Sequence, residues 1–401
     1  MIITYLKASN LYGFNNTEID FSYTRKVVDS SIEYEYLPER KNFNFKRVCI
    51  ISGTNASGKT SLGRVICGIE NFLSRKTIIP TLASAICDRE QPASIEFEFV
   101  TPTNNIFHKL DLSFVDSGVA VKRLQYISLP IGKNDSCSTM RKKLLQVVEN
   151  KKARNGVYIS SDEVGVSTAF EKFSELSIED LSWMFMFSEN QNENKIASPA
   201  NISASLFKKI LKAFDPSIES VEALTPANES EKKRKNRKGN ISGYLIKFNN
   251  GDSVLINSSG EMTADKDDIN RFSKGTYDAI KLTSFISRVF VENEFDGSCT
   301  HFLDEQMAYT HSDLEQHILN LIVSKLSPLS QFFYTTHNYD VLDMGFPVHS
   351  YLFMRKENST SSVIQPESSF KKNDRSLLNY VKNDYFNTLP DTSDLDKLLW
   401  E

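Results

Sequence analysis

Gly53-Thr54-Asn55-Ala56-Ser57-Gly58-Lys59-Thr60 stands between an apolar run, Val48-Cys49-Ile50-Ile51, and a helical pattern from Ser61 to Leu73. Gly53, Gly58, Lys59 and Thr60 fit G-x-x-x-x-G-K-[ST], and each identity has a physical reason. Glycines let the backbone fold back so that successive N–H groups face inward as a nest for phosphate oxygens. Thr54, Asn55, Ala56 and Ser57 contribute N–H groups to that nest, and Ser61 continues the helix whose positive end meets the same anion. Lys59 reaches the β- and γ-phosphates, and the Thr60 hydroxyl is placed to ligate Mg2+. A strand before and a helix after is the context this pattern needs. Glycine is scarce, 16 in 401 residues, which weighs against a chance turn.

Working outward, the first 21 residues alternate as a strand pair. Ile95–Phe99, Lys109–Val115 and Val119–Leu129 carry apolar side chains at period two, the mark of an antiparallel sheet laid beside a nucleotide core. From about 131 the character changes. Met140–Asn150 and Ser177–Ser188 read as helices joined by polar linkers, with no sustained heptads and hence no long coiled coil. Strands return at Tyr244–Phe248 and Ser253–Asn257. The reading is an ATPase-like lobe over 1–130, a helical insertion over 131–240, and a second lobe over 241–401.

The insertion closes on Lys232-Lys233-Arg234-Lys235-Asn236-Arg237-Lys238. Such a run reads as a solvated loop or as a contact to the phosphate backbone of DNA or RNA. It has no interleaved aromatics, so base stacking is not assigned to it.

Two later stretches complete the pattern. Thr300–Leu303 leads as a strand into Asp304-Glu305. A strand-end Asp can hold magnesium, and the Glu beside it can orient a water at the γ-phosphate. Phe332-Phe333-Tyr334 leads into Thr335-Thr336-His337, where a strand-end His can bond that same phosphate.

Bulk properties set outer bounds. Net charge is −4, hydrophobic content 40% and charged content 24%, ordinary for a soluble globular protein and against a globally basic nucleic-acid binder. Five cysteines without a CxxC pair point to reduced thiols. No apolar run approaches the ~20 residues of a membrane span, so a cytoplasmic protein is expected.

The ordered set of phosphate loop, strand-Asp-Glu and strand-end His resembles the ABC-type ATPases of the SMC, RecF and OLD branch, over most of 1–100 and 241–401. It is most similar to the stand-alone ATPase subunits of bacterial anti-phage systems such as Septu, PARIS and the abortive-infection pairs. Their acidic pair opens D-E-x-x-x-S-L-H-P. Here Asp304-Glu305-Gln306-Met307-Ala308-Tyr309-Thr310-His311-Ser312 keeps the acids and a His but not the proline. The resemblance implies an α/β head with an antiparallel layer, ATP and Mg2+ as ligands, and hydrolysis with Glu305, His337 and Lys59 in the catalytic roles. It also implies a signature loop that caps the γ-phosphate of a partner copy. Ser273 and Gly275, directly before a long helical pattern, suit that role better than Asn257–Met262. Gln91 and Gln125 are both candidates for the glutamine expected between the lobes. ATP would then join two copies and hydrolysis would release them.

Two outputs follow from the family. One is a defence switch acting through a separate nuclease or toxin. It is favoured by the compact chain and by only about 60 residues after His337, too few for a nuclease domain. The other is RecF- or SMC-like DNA handling. A transporter motor and a simple kinase fit the later motifs poorly.

Overall fold

All six residues of the strand Val48–Gly53 are buried, as a continuous apolar run is when covered on both faces. It lies between Gln331–Thr336 and Tyr351–Glu357, parallel to both. The computed structural model describes residues 1–23, 30–116, 120–188, 203–225, 241–257, 259–264, 274–294, 297–308, 310–370, 377–390 and 393–398. They divide into two compact units.

The first unit comprises Met1–Phe185, Ser298–Glu305 and Pro328–Glu401. Its central sheet runs Trp183–Met186, Thr300–Asp304, Gln331–Thr336, Val48–Gly53, Tyr351–Glu357 and Thr360–Ile364. Thr300–Asp304 pairs parallel with Gln331–Thr336, and the hairpin at Tyr351–Glu357 and Thr360–Ile364 is antiparallel. The second sheet runs Thr17–Asp20, Ile2–Ser9, Ala93–Thr101, Ile106–Val115, Ala120–Pro130 and Val157–Ser160, antiparallel throughout. Parallel and antiparallel sheets side by side make a mixed α/β fold, as the alternation indicates.

Gln331 ties the two sheets. Its buried side chain accepts from Ile3 N (2.8 Å) and donates to Ile3 O (3.1 Å) and Lys46 O (2.8 Å). A buried amide with every contact answered fixes how the layers register.

The second unit comprises Met186–Gly297 and Gln306–Ser327. A four-stranded antiparallel sheet, Ile218–Leu224, Gly243–Phe248, Ser253–Asn257 and Met262–Ala264, packs Tyr244, Ile246 and Ile256 in one cluster with Phe207 and Leu211 of the helix Ala204–Phe214 and Ile280 of the helix Lys274–Glu294. No helix among the described residues is long and apolar enough to cross a membrane.

The opening segment of the first unit runs to Phe185 and includes the helix Cys137–Asn150. Met140, Leu144 and Val147 bury one face of it against Phe43 and Phe107. From the same helix Arg141 reaches Asp20 (2.9 Å) and Glu98 (2.7 Å). The insertion is mixed, not helical, since Ile218–Leu224 pairs with Gly243–Phe248. Ser177–Ser188 is not a helix: Trp183–Met186 is a strand of the central sheet. Four large apolar residues in a row suit a strand better than an amphipathic helix.

The helix Lys59–Arg75 carries Glu70 into the core with no solvent exposure, and neither carboxyl oxygen makes a hydrogen bond of good geometry, though Thr300 and the N-terminal ammonium act on it weakly. Burial pushes its carboxyl well above the ordinary range, because the charged form is the one that low dielectric penalises. A group with a raised folded-state pKa keeps its proton when folded and releases it when unfolded. Stability therefore falls as pH rises past the unfolded glutamate value, at up to about 1.4 kcal/mol per pH unit. Glu70→Gln is expected to flatten that decline above the unfolded glutamate value, as read from melting temperature against pH. An unchanged slope would place the proton elsewhere.

Candidate functional site

The phosphate loop leaves the carboxyl end of the central strand, where open α/β sheets hold ligands. Its glycines are dictated by what lies beneath. Gly53 has φ +153°, and a Cβ there would stand 2.0 Å from Met354 O. Gly58 has φ +107°, and its Cβ would stand 2.9 Å from Ser361 Oγ and 3.3 Å from Met354 Cε. The hairpin Tyr351–Ile364 is thus the bed on which the loop lies. Ala56 takes φ +58° between them.

Gly58 is the N-cap of the helix Lys59–Arg75, with no side-chain cap and no acidic residue in the first turn. The amides there are left for a ligand, and nothing negative competes for them. Ser57 Oγ is buried without a partner, a polar atom that awaits one. These features fit a phosphate chain.

Lys59 opens the helix and is 3% exposed. Its Nζ donates to Gly53 O and Thr54 O, each at 3.1 Å, and lies 3.4 Å from Glu305 Oε1. Burial pulls its ammonium below the ordinary value, and Glu305 opposes that pull. Thr60 Oγ1 lies 2.9 and 3.1 Å from the two oxygens of Asp304, which is fully buried. A hydroxyl and a carboxylate converging beside a phosphate nest fit magnesium, which usually takes one or two protein oxygens plus phosphates and water. No group of three or more His, Cys, Asp or Glu able to hold a metal ion by itself occurs among the described residues, so an all-protein cage has no basis there.

Glu305 follows Asp304 with φ +49°, a left-handed turn that a bulky residue seldom adopts. Its N donates to Thr335 O (3.2 Å) and to Thr335 Oγ1 (3.1 Å), and Thr335 Oγ1 in turn donates to Asp304 Oδ1 (2.7 Å). One threonine on the neighbouring strand orients both acids. His337 Nε2 stands 2.8 Å from Glu305 Oε1. The hydrogen bond to His337 holds the Glu305 carboxyl below the ordinary range, with Lys59 helping and burial opposing. It is a carboxylate at neutral pH.

Five of the proposed residues, Lys59, Thr60, Asp304, Glu305 and His337, therefore meet from three strand ends. Thr335, Met354 and Ser361 were not read from the sequence. The only trace of Thr335 is its place beside His337, and the other two leave none.

Ser273 and the run Lys232–Lys238 lie outside the described residues. Gly275 is the second residue of the helix Lys274–Glu294. Of Asn257–Met262, the described residues close on themselves: Asn257 Oδ1 accepts from Ser259 N (3.0 Å), Ser259 Oγ (2.7 Å) and Glu261 N (2.9 Å). Gln91 sits in an exposed turn whose carbonyl accepts from Asn10 Nδ2 (2.9 Å). Gln125 is buried in the antiparallel sheet, opposite Asp111 and Ser160. A cleft of about 1070 Å³ lies beside the residues leading into the central strand, lined by Tyr23, Glu35, Tyr36 and Asn44. The residues that fit a phosphate chain lie at the loop, not in that cleft.

No protein-family model matches the chain, and no curated protein does. Among solved structures it is similar to an SMC head bound to the C-winged helix domain of ScpA, with TM-score 0.49 and 14% identity over 93% of this chain and 100% of that one. It is also similar to an SMC head with an extended coiled coil bound to the C-terminal domain of ScpA, derived from Pyrococcus furiosus. That likeness has TM-score 0.47 and 14% identity over 95% and 99% of the two chains. An SMC head domain from Thermotoga maritima gives TM-score 0.38 and 13% identity over 91% and 99%. The α/β phosphate-loop architecture itself rests on the strand order and register of this chain.

Proposed function

We propose that this chain binds ATP with Mg2+ and hydrolyses it, as an ABC-type head that works in pairs. The observation that supports this most is the convergence of Lys59, Thr60, Asp304, Glu305 and His337 around one loop. The loop amides and Lys59 would hold the phosphates, while Thr60 and Asp304 would hold the metal. Bound magnesium supplies charge neutralisation at the phosphate oxygens. Glu305 accepts the proton of the attacking water, and His337 keeps that carboxylate ionised and aimed. Ser273 and Gly275 of a second copy would close over the γ-phosphate across an isologous interface. Magnesium-dependent ATP turnover that depends on Glu305 and rises more steeply than linearly with protein concentration tests this. Turnover absent at every concentration overturns it.

Of the two outputs, the anti-phage switch with a separate nuclease or toxin has no support among the similar proteins, and DNA handling is the better supported. One feature of the second unit favours it. The helix Ala204–Phe214 carries Lys208, Lys209 and Lys212 and no acidic residue. Its apolar side chains Phe207 and Leu211 are spent in the core, so it is not a membrane-lying helix. Among the described residues these lysines meet no carboxylate, and unpaired point charges without aromatic anchors suit phosphate backbone better than a protein partner. Lys208→Glu, Lys209→Glu and Lys212→Glu together are expected to weaken duplex DNA binding at least about tenfold at 0.1 M salt, with a salt slope shallower by about 3. ATP turnover should stay unchanged. DNA binding unaffected by the triple change would return the weight to the effector-coupled reading.

A further inference from the structure

Three segments far apart in the chain meet at one small side chain. Ser361, 2% exposed, lies on the edge strand Thr360–Ile364. Its N donates to Gly13 O (2.7 Å), and its O accepts from Thr17 Oγ1 (2.8 Å). Its hydroxyl stands in the space that a side chain on Gly58 would fill, and equally in the space that a side chain on Gly13 would fill, 2.9 Å from an ideal Cβ in each case. Two glycines close against a single hydroxymethyl group from opposite chain segments.

We infer that Ser361 is a positioning residue for the phosphate loop: the Gly58–Ser361–Gly13 contact sets the height of the nest above the sheet. This rests on the ATP-binding reading above. Gly58 is the N-cap of the helix that carries Lys59 and Thr60, so a displacement of Gly58 moves the amides and both side chains together. Relief toward Gly13 is limited. The loop there is wound tightly, with Asn10, Tyr12 and Asn16 at φ +57°, +51° and +51°, and Asn10 Nδ2 holds it to Asp88 O (2.8 Å) and Gln91 O (2.9 Å). A larger side chain at 361 must therefore push on the phosphate loop. Ser361 does not touch the acids that act on water, so chemistry in the bound complex should be spared.

The test measures MgATP affinity, steady-state kinetics and melting temperature for wild type, Ser361→Ala, Ser361→Thr and Ser361→Val in the full chain. Alanine, which removes the hydroxyl that both glycines close against and leaves slack under Gly58, should weaken MgATP affinity less than valine does. Valine should weaken MgATP affinity about 10–100-fold by overpacking and raise KM in step, with kcat at saturation within about threefold. Threonine, which adds one methyl and keeps the hydroxyl, should fall between and serves where valine does not fold. A merely structural role predicts a lower melting temperature with affinity unmoved in the folded fraction, and that result overturns the inference. So does unchanged affinity in both Thr and Val variants. Wild type that binds no MgATP overturns the ATPase reading itself, and this inference with it.

Discussion

Glu305→Gln is expected to bind ATP like wild type and to hydrolyse it about 10²–10⁴-fold more slowly. The amide keeps the shape of the carboxylate and can still meet His337 and Lys59, but it cannot take a proton from water. Lys59→Ala is the contrast. Removing a buried charge that faces the phosphates should cost MgATP affinity at least about 10²-fold, so the two variants separate chemistry from binding. Because the His337 hydrogen bond holds Glu305 below its ordinary range, the acidic limb of kcat/KM should lie below the ordinary glutamate range. His337→Ala should shift that limb to higher pH. Nucleotide binding by fluorescence and single-turnover hydrolysis read all three. Wild-type turnover in Glu305→Gln would remove it from the base role.

Gly275→Asp and Ser273→Arg are expected to leave ATP binding by a single chain nearly intact and to abolish ATP-dependent pairing. In the paired state each would face the γ-phosphate held by the other copy, and a carboxylate or a bulky side chain there repels the phosphate or fills its space. The measurement is mass in solution with and without ATP, in a Glu305→Gln background so that hydrolysis does not release the pair. Changes at Ser259 and Gly260, which sit in the self-closed hairpin, should not affect pairing. Pairing lost through Gly260 and kept in Gly275→Asp would move the signature role to the hairpin.

What the sequence by itself determined about this protein has a local physical cause in every case. A glycine-bounded loop between an apolar strand and a helix needs no partner to be recognised, because left-handed backbone and inward N–H groups are properties of the loop itself. The period-two alternation of Ile95–Phe99 and its neighbours shows which face is buried. Acids at the end of Thr300–Asp304 and a His after Gln331–Thr336 are legible because strand ends in such sheets gather at one edge.

Only the tertiary structure decided the rest. Trp183–Met186 is too short to declare a period and takes its form from the central sheet it joins. The helix Cys137–Asn150 belongs to the first unit because its apolar face meets Phe43 and Phe107, a pairing no spacing within the helix announces. Thr335 holds both acids only because its strand lies in register beside theirs. Met354 and Ser361 dictate the glycines of a loop some 300 residues earlier. Contacts across such separations leave no periodic trace in the chain, since packing selects them for shape and volume after the backbone has brought them together.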